Sequence, residues 1–316
     1  MSVDINDILK MQDPDAVRAL VREALAEDKI SNAEGARRAG MAESTFAAWL
    51  SGKYQGNNEK ATGDAMRWLV ARQSQRMAAA SITASPDFIE TPSARDFITA
   101  LRYAQVACDI TVIVGAPGIG KTMAAEAYKL VTPNVWLTTM TPSTSKPSAM
   151  LAEICAELDV PEKSTTKMAR ALGRFVKGKK GLLIVDEGQN LRPESMDELR
   201  ALNDIYKVAI AVIGNEKVVS RLEGKQADYG QLYSRVGTRL IRPRPNEGDI
   251  SALIAAWGVT DPQEVTFLMG VAGKAGALRT LDKTMRLASM LANGANEPRG
   301  LRHLKAARAR SGATEA

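Results

Sequence analysis

The stretch Ile110-Thr111-Val112-Ile113-Val114-Gly115-Ala116-Pro117-Gly118-Ile119-Gly120-Lys121-Thr122 decides the fold class. Its first five residues are β-branched, as in a strand buried on both faces. The next eight fit G-x-x-x-x-G-K-[ST] at every specified position, and a helical pattern, Met123–Leu130, follows. Glycines let the backbone curl until successive N–H groups point at phosphate oxygens, and the helix N-terminus adds partial positive charge. The expected nucleotide contacts are Gly115, Pro117, Gly118, Ile119, Gly120, Lys121, Thr122 and Met123. Lys121 reaches the β- and γ-phosphates of ATP, and Thr122 ligates Mg²⁺.

Working outward, the apolar run Leu182-Leu183-Ile184-Val185 ends in Asp186-Glu187. Two acids at the mouth of a parallel sheet suit a metal shell and a general base. Asp186 takes the first role, beside Thr122, and Glu187 the second. The run Ala209–Ile213 ends in Gly214-Asn215. Asn215 can orient the attacking water, or Gly-Asn can simply make a turn. Arg235 precedes the last strand and can project as a finger into a neighbouring subunit's site. Arg279 opens a helix and can touch the phosphates from above. A surface ion pair is the plain alternative for both arginines.

These strands, with Val135–Thr139 and Arg239–Ile241, alternate with helical segments from residue 88 to 245, which predicts an α/β fold with a parallel sheet. Only helical periodicity follows in 246–316, for example Leu278, Leu281, Met285 and Ala288. Residues 1–75 read as short amphipathic helices. The small residues and proline of Ala78–Pro86 mark 76–87 as a linker. A chain of 316 residues has room for these regions. No run approaches a membrane span and no signal pattern precedes the first helix, so a cytoplasmic protein is expected. Cys108 and Cys155 lack metal-ligand spacing and read as buried, reduced thiols.

The net charge of +6 is too small to argue for polyanion binding, and acids balance bases across residues 1–85. Distribution says more. Lys163, Lys167, Arg170, Arg174 and Lys177 step by four, three, four and three, which puts them on one helix face opposite Ala169, Leu172, Phe175 and Val176. Lys179 and Lys180 follow. An uninterrupted like-charged row repels itself, so phosphate contact competes with the plainer reading of a solvated face. A second cluster, Arg299, Arg302, Lys305, Arg308 and Arg310, either tracks a phosphate backbone or is a basic tail. Residues 32–50 have helix-turn-helix cadence with Gly40 at the turn and Ala36, Met41, Phe46, Trp49 and Leu50 as its core. The second helix exposes Glu43, Ser44, Thr45, Ala47 and Ala48, without the Arg, Asn or Gln that read bases bidentately. Weak DNA contact through Ser44 and Thr45, or a module for protein contacts, fits that set.

The order GAPGIGKT, LLIVDE, VIGN, YSR and GALR resembles an AAA+ ATPase, with Lys121, Asp186-Glu187, Asn215, Arg235 and Arg279 matching Walker A, Walker B, sensor 1, arginine finger and sensor 2. The flanking segments Gly52–Glu59, Arg67-Trp68-Leu69, Phe88–Thr91, Asn134-Val135-Trp136, Gln231–Arg235 and Arg286-Leu287-Ala288 are similar, nearly end to end, to the target-selection ATPases of the phage Mu transposition protein B family. That resemblance implies a three-layer AAA+ core with a C-terminal helical lid and an N-terminal helix-turn-helix domain. It implies Mg²⁺-dependent ATP hydrolysis and sequence-indifferent binding to double-stranded DNA. It also implies a homo-oligomer, as a helical filament on DNA, and delivery of target DNA to a transposase in the bacterial host cytoplasm. A helicase loader or other AAA+ machine, or a nucleotide-switched helix-turn-helix repressor, are the competing readings. The chain departs from the family after Asp186-Glu187, where Gly188-Gln189-Asn190 replaces the usual Ala-Asp/Glu-His.

Overall fold

The computed structural model describes residues 8, 11, 13–81, 83–218 and 236–311, the side chains of 78–81 and 165 excepted. It divides into two compact units, Met1–Thr83 and Ala84–Ala316.

In the first unit the helices are α1 (Pro14–Glu27), α2 (Asn32–Arg38), α3 (Glu43–Leu50) and α4 (Asn58–Ser81). Asp13 caps α1 and Ser31 caps α2, each side-chain oxygen accepting from a first-turn N–H. Gly40, at φ 69, makes the left-handed turn between α2 and α3. Val17, Val21, Ala36, Phe46, Trp49 and Ala65 fill a small core. Arg18 Nε donates to Trp49 O at 2.7 Å and Arg22 Nη2 to Leu50 O at 2.5 Å, so two cations satisfy the last carbonyls of α3. The expected linker is helical as far as Ser81. The alanines that read as loose, Ala78-Ala79-Ala80, are strong helix formers and extend α4.

The second unit is a three-layer α/β core followed by a helical region. Its helices are α5 (Pro92–Ala107), α6 (Lys121–Val131), α7 (Pro147–Glu157), α8 (Thr165–Val176) and α9 (Pro193–Tyr206). Its strands are β1 (Ile110–Gly115), β2 (Val135–Thr139), β3 (Leu182–Asp186), β4 (Ala209–Gly214) and β5 (Val236–Arg242). The sheet is parallel, in the order β2-β3-β4-β1-β5. Period-two alternation sends Val112, Val114, Leu183, Val185, Ile210 and Val212 to the face covered by α7, α8 and α9. Ile113, Leu182, Ile184, Ala211 and Ile213 meet α5 and α6 on the other. A continuous apolar strand is thus divided between two cores. That holds for β1, β3 and β4, which are buried throughout; the edge strands β2 and β5 are only half-buried. β5 is also longer than the Arg239–Ile241 expected, and Gly237 forms a bulge where its register against β1 shifts.

Helices α10 (Glu247–Ala256), α11 (Pro262–Ala272), α12 (Ala277–Gly294) and α13 (Leu301–Arg310) complete the chain. Leu268, Leu281, Met285, Ala288 and Leu304 form their core. This region is pinned to the α/β core by a buried carboxylate. Asp249 accepts from Ser93 N at 2.8 Å, Ser93 Oγ at 2.6 Å and Asn246 N at 2.8 Å. Cys155 is buried as expected, whereas Cys108 is half-buried in the left-handed cap of α5. No helix among the described residues is long and apolar enough to cross a membrane.

Candidate active site

The strand order puts the carboxyl ends of β3, β4 and β1 side by side. The loop after β1, the acids ending β3 and Asn215 after β4 therefore meet at one sheet edge, where ligands of open α/β sheets bind. A cavity of ≈ 410 Å³ opens there. Its polar end holds Lys121, Thr122, Asp186, Glu187, Asn215 and Arg279.

Lys121 Nζ donates to the carbonyls of Gly115 at 2.8 Å and Ala116 at 3.0 Å. Burial pushes its ammonium below the ordinary lysine value; Asp186 and Glu187 pull the other way, and Arg279 adds to the depression. Thr122 Oγ1 donates to Asp186 Oδ2 at 2.5 Å, and Glu187 N to Asp186 Oδ1 at 2.8 Å. A hydroxyl beside a nearly buried carboxylate is an oxygen pair suited to Mg²⁺. Among the described residues no cluster of three or more His, Cys, Asp or Glu exists. Mg²⁺ ordinarily takes most of its oxygens from phosphates and water rather than from a protein cage.

Glu187 is exposed and lies in the left-handed region at φ 55. A non-glycine residue held there next to a reacting centre marks a turn fixed by its surroundings. Asn215 lines the cavity, and its Oδ1 accepts from Lys217 N at 3.0 Å in a turn. The first turn of α12 packs directly on the phosphate loop: Arg279 N donates to Gly118 O at 3.3 Å, and a Cβ on Gly118 would lie 2.1 Å from Gly276 O. Only glycine fits there, at φ 85. Arg279 is thereby carried to the cavity wall. Arg235 lies outside the described residues.

The apolar end of the cavity went unassigned in the sequence. Phe88, Ile89, Thr91 and Ala94 line it from the α/β core, and Leu253, Leu278 and Asp282 from the C-terminal helices. Ser85 Oγ donates to Asp282 Oδ2 at 2.8 Å across its rim. Apolar walls with a few polar groups suit a flat base. The available signal was the pair Phe88-Ile89 just ahead of Thr91, the N-cap of α5.

The single helix face expected for the basic row is shorter than its spacing suggested. Lys167, Arg170 and Arg174 lie within α8, Lys163 precedes its Ser164 cap, and Lys177 is its C-cap, already out of helical geometry. Lys163, Lys167, Arg170, Arg174, Lys177, Lys179 and Lys180 are exposed, while Met168, Leu172 and Val176 are buried. Ala169 and Phe175 are half-buried against the same core. Lys179 Nζ sits 3.3 Å from the centre of the Phe175 ring. The C-terminal cluster is less uniform. Arg302 pairs with Glu297, Arg299 is half-buried, and Lys305 is exposed. On α3, Ser44 is exposed and Thr45 half-buried.

The layered parallel sheet and its phosphate loop define a P-loop nucleotide-binding core. Residues 105–222 match the family described as AAA domain. The fold is also that of an ORC2 protein from Aeropyrum pernix solved as ADPNP-ADP complexes, with a TM-score of 0.56 and 16% identity, covering 74% of this chain and 71% of that one. Residues 234–310 match the family described as Mu B transposition protein, C terminal. The chain is 32% identical over 285 residues to the ATP-dependent target DNA activator B of Escherichia phage Mu, covering 89% of this chain and 90% of the relative. It is also 32% identical over 271 residues to the Mu-like prophage FluMu DNA transposition protein B of Haemophilus influenzae, covering 84% and 93%. The protein is an AAA+ ATPase and belongs to the Mu transposition protein B family.

Proposed function

We propose that this ATPase assembles as a homo-oligomer, in a helical filament, on double-stranded DNA in the host cytoplasm and presents that DNA to a transposase. ATP occupies the cavity with its base among Phe88, Ile89, Leu253 and Leu278 and its triphosphate on the loop at Gly115–Thr122. Lys121 and Arg279 neutralise the phosphate oxygens. Thr122 and Asp186 hold Mg²⁺, which supplies further positive charge when bound. Glu187 accepts a proton from the water that attacks the γ-phosphorus as the bond to the ADP oxygen breaks, and Asn215 orients that water. Arg235 completes the site of a neighbouring subunit, so ATP favours assembly and hydrolysis promotes release.

The observation that carries this reading is the convergence of Lys121, Thr122, Asp186, Glu187 and Asn215 on one cavity whose wall also includes Arg279 from the C-terminal helices. Binding to DNA follows the exposed row from Lys163 to Lys180. These side chains meet phosphates rather than bases, so recognition is largely indifferent to sequence. The relatives named as target DNA activators favour this use of the site over a helicase loader. Electron microscopy with ATP and plain duplex DNA tests it. Ordered arrays on DNA are expected with ATP, and none with Lys121→Ala. Arrays that form equally well without nucleotide would contradict it.

A further inference from the structure

The departure after Walker B links Glu187 to the end of the neighbouring strand. Gln189 Nε2 donates to Glu187 Oε2, and Gln189 Oε1 accepts from Asn215 N at 3.3 Å. One side-chain amide thus spans from the end of β3 to the end of β4, with all three residues lining the same cavity. Its seat is built by close backbone approach. A Cβ on Gly214 would lie 2.7 Å from Gln189 Oε1, and a Cβ on Gly188 would lie 2.5 Å from Val212 Cγ1. Any larger residue at either position would push the turn away from β4. The far side of the turn is anchored as well: Asn190 Nδ2 donates to Met140 O at 2.8 Å, and Leu191 N to Gly188 O at 3.1 Å. With Glu187 at φ 55, its carboxylate stands on a backbone that the surrounding contacts dictate.

We infer that Gln189 is a positioning residue for ATP hydrolysis, a clamp that fixes the Glu187 carboxylate relative to the Asn215 segment. The inference rests on Glu187 acting as the base. Holding one carboxylate oxygen leaves the other to take the proton of the attacking water, in an orientation set by the strand that carries Asn215. Movement at the end of β4 is then transmitted to the base through a single amide. An acidic side chain in place of Gln189 would not provide the same pair of contacts, because a carboxylate lacks the donor that Glu187 requires.

The test compares Gln189→Ala and the isosteric Gln189→Glu with the parent chain, in the full-length protein. Gln189→Glu keeps the acceptor for Asn215 N but replaces the donor with a repelling oxygen. Both variants should lower kcat by on the order of tenfold or more. The affinity for ATP and the melting temperature should remain within about twofold and a few degrees of the parent. Placed in a Glu187→Gln background, Gln189→Ala should cause no further loss, because a clamp has nothing left to position. A parent-like or higher kcat in Gln189→Ala, with Glu187→Gln inactive, would overturn the clamp and leave the base assignment standing. A fall in kcat matched by an equal loss of ATP affinity would also overturn it, as the sign of a structural residue. Parent-rate turnover by Glu187→Gln would instead overturn the base assignment itself.

Discussion

Lys121 spends both of its hydrogen bonds in this site on carbonyls of its own loop, Gly115 O and Ala116 O, which places its ammonium where phosphate oxygens would arrive. Charge-assisted hydrogen bonds are worth about 1.5–3 kcal/mol each, so Lys121→Ala should weaken ATP binding by about 10- to 100-fold. Calorimetric titration checks this, and unchanged affinity would remove Lys121 from the site. Glu187→Gln should behave in the opposite sense: ATP affinity is kept and kcat falls by about 10²-fold or more, read from single-turnover hydrolysis. At this scale much was legible in the sequence, because the loop and the acids of β3 are contiguous motifs. Asn215 was half legible, since a turn and a cavity wall demand the same residue type. Gln189 was visible only as a departure, because its meaning depends on the distance from one strand end to the next.

Steps of three and four put Lys167, Arg170 and Arg174 on one face of α8, but spacing alone did not show that the helix excludes Lys163 and Lys177. Replacing Lys167, Arg170 and Arg174 with Ala should reduce the slope of log K against log salt for duplex DNA by about 2–3, for three lost phosphate contacts. An unchanged slope would make the row a solvated surface. In the N-terminal unit, Arg72 joins α4 to the end of α1 through Glu27 and Asp28, at 2.8 Å and 2.7 Å. Hydrogen bonds from Arg72, joined by Arg76 at Glu27, hold both carboxylates below their ordinary range. A carboxylate depressed by folding contributes its full stability above its unfolded value, about 3.9–4.3. It loses that contribution as the pH falls through the folded value. Protection of amides in α1 and α4, relative to their intrinsic exchange rates, should therefore fall selectively below about pH 4, and Arg72→Ala should lessen that acid dependence. Protection in Arg72→Ala that falls below about pH 4 as steeply as in the parent would assign it elsewhere. Periodicity gave the helices of both units, but it misjudged the end of α4, where small residues suit a helix and a linker equally.

Across the molecule, what the sequence could not supply is assembly of distant segments. The apolar end of the cavity joins residues 85–94 to Leu253, Leu278 and Asp282, and no local pattern links them. The tight contact of Gly118 with the start of α12 is likewise a property of the folded chain. Arg235 lies outside the described residues, and its proposed finger role acts in a neighbouring subunit's site. Arg235→Ala should leave ATP affinity within about twofold of the parent while suppressing ATP-driven growth in light scattering. Normal growth would remove its finger role. In the proposed function the state of the phosphate loop governs the grip on DNA. It is tested most directly by measuring duplex DNA affinity at one salt concentration with ATP and Mg²⁺, with ADP and Mg²⁺, and without nucleotide, on two unrelated sequences. The expected result is tight binding with ATP only, alike on both sequences. Equal affinity in all three nucleotide conditions would contradict it.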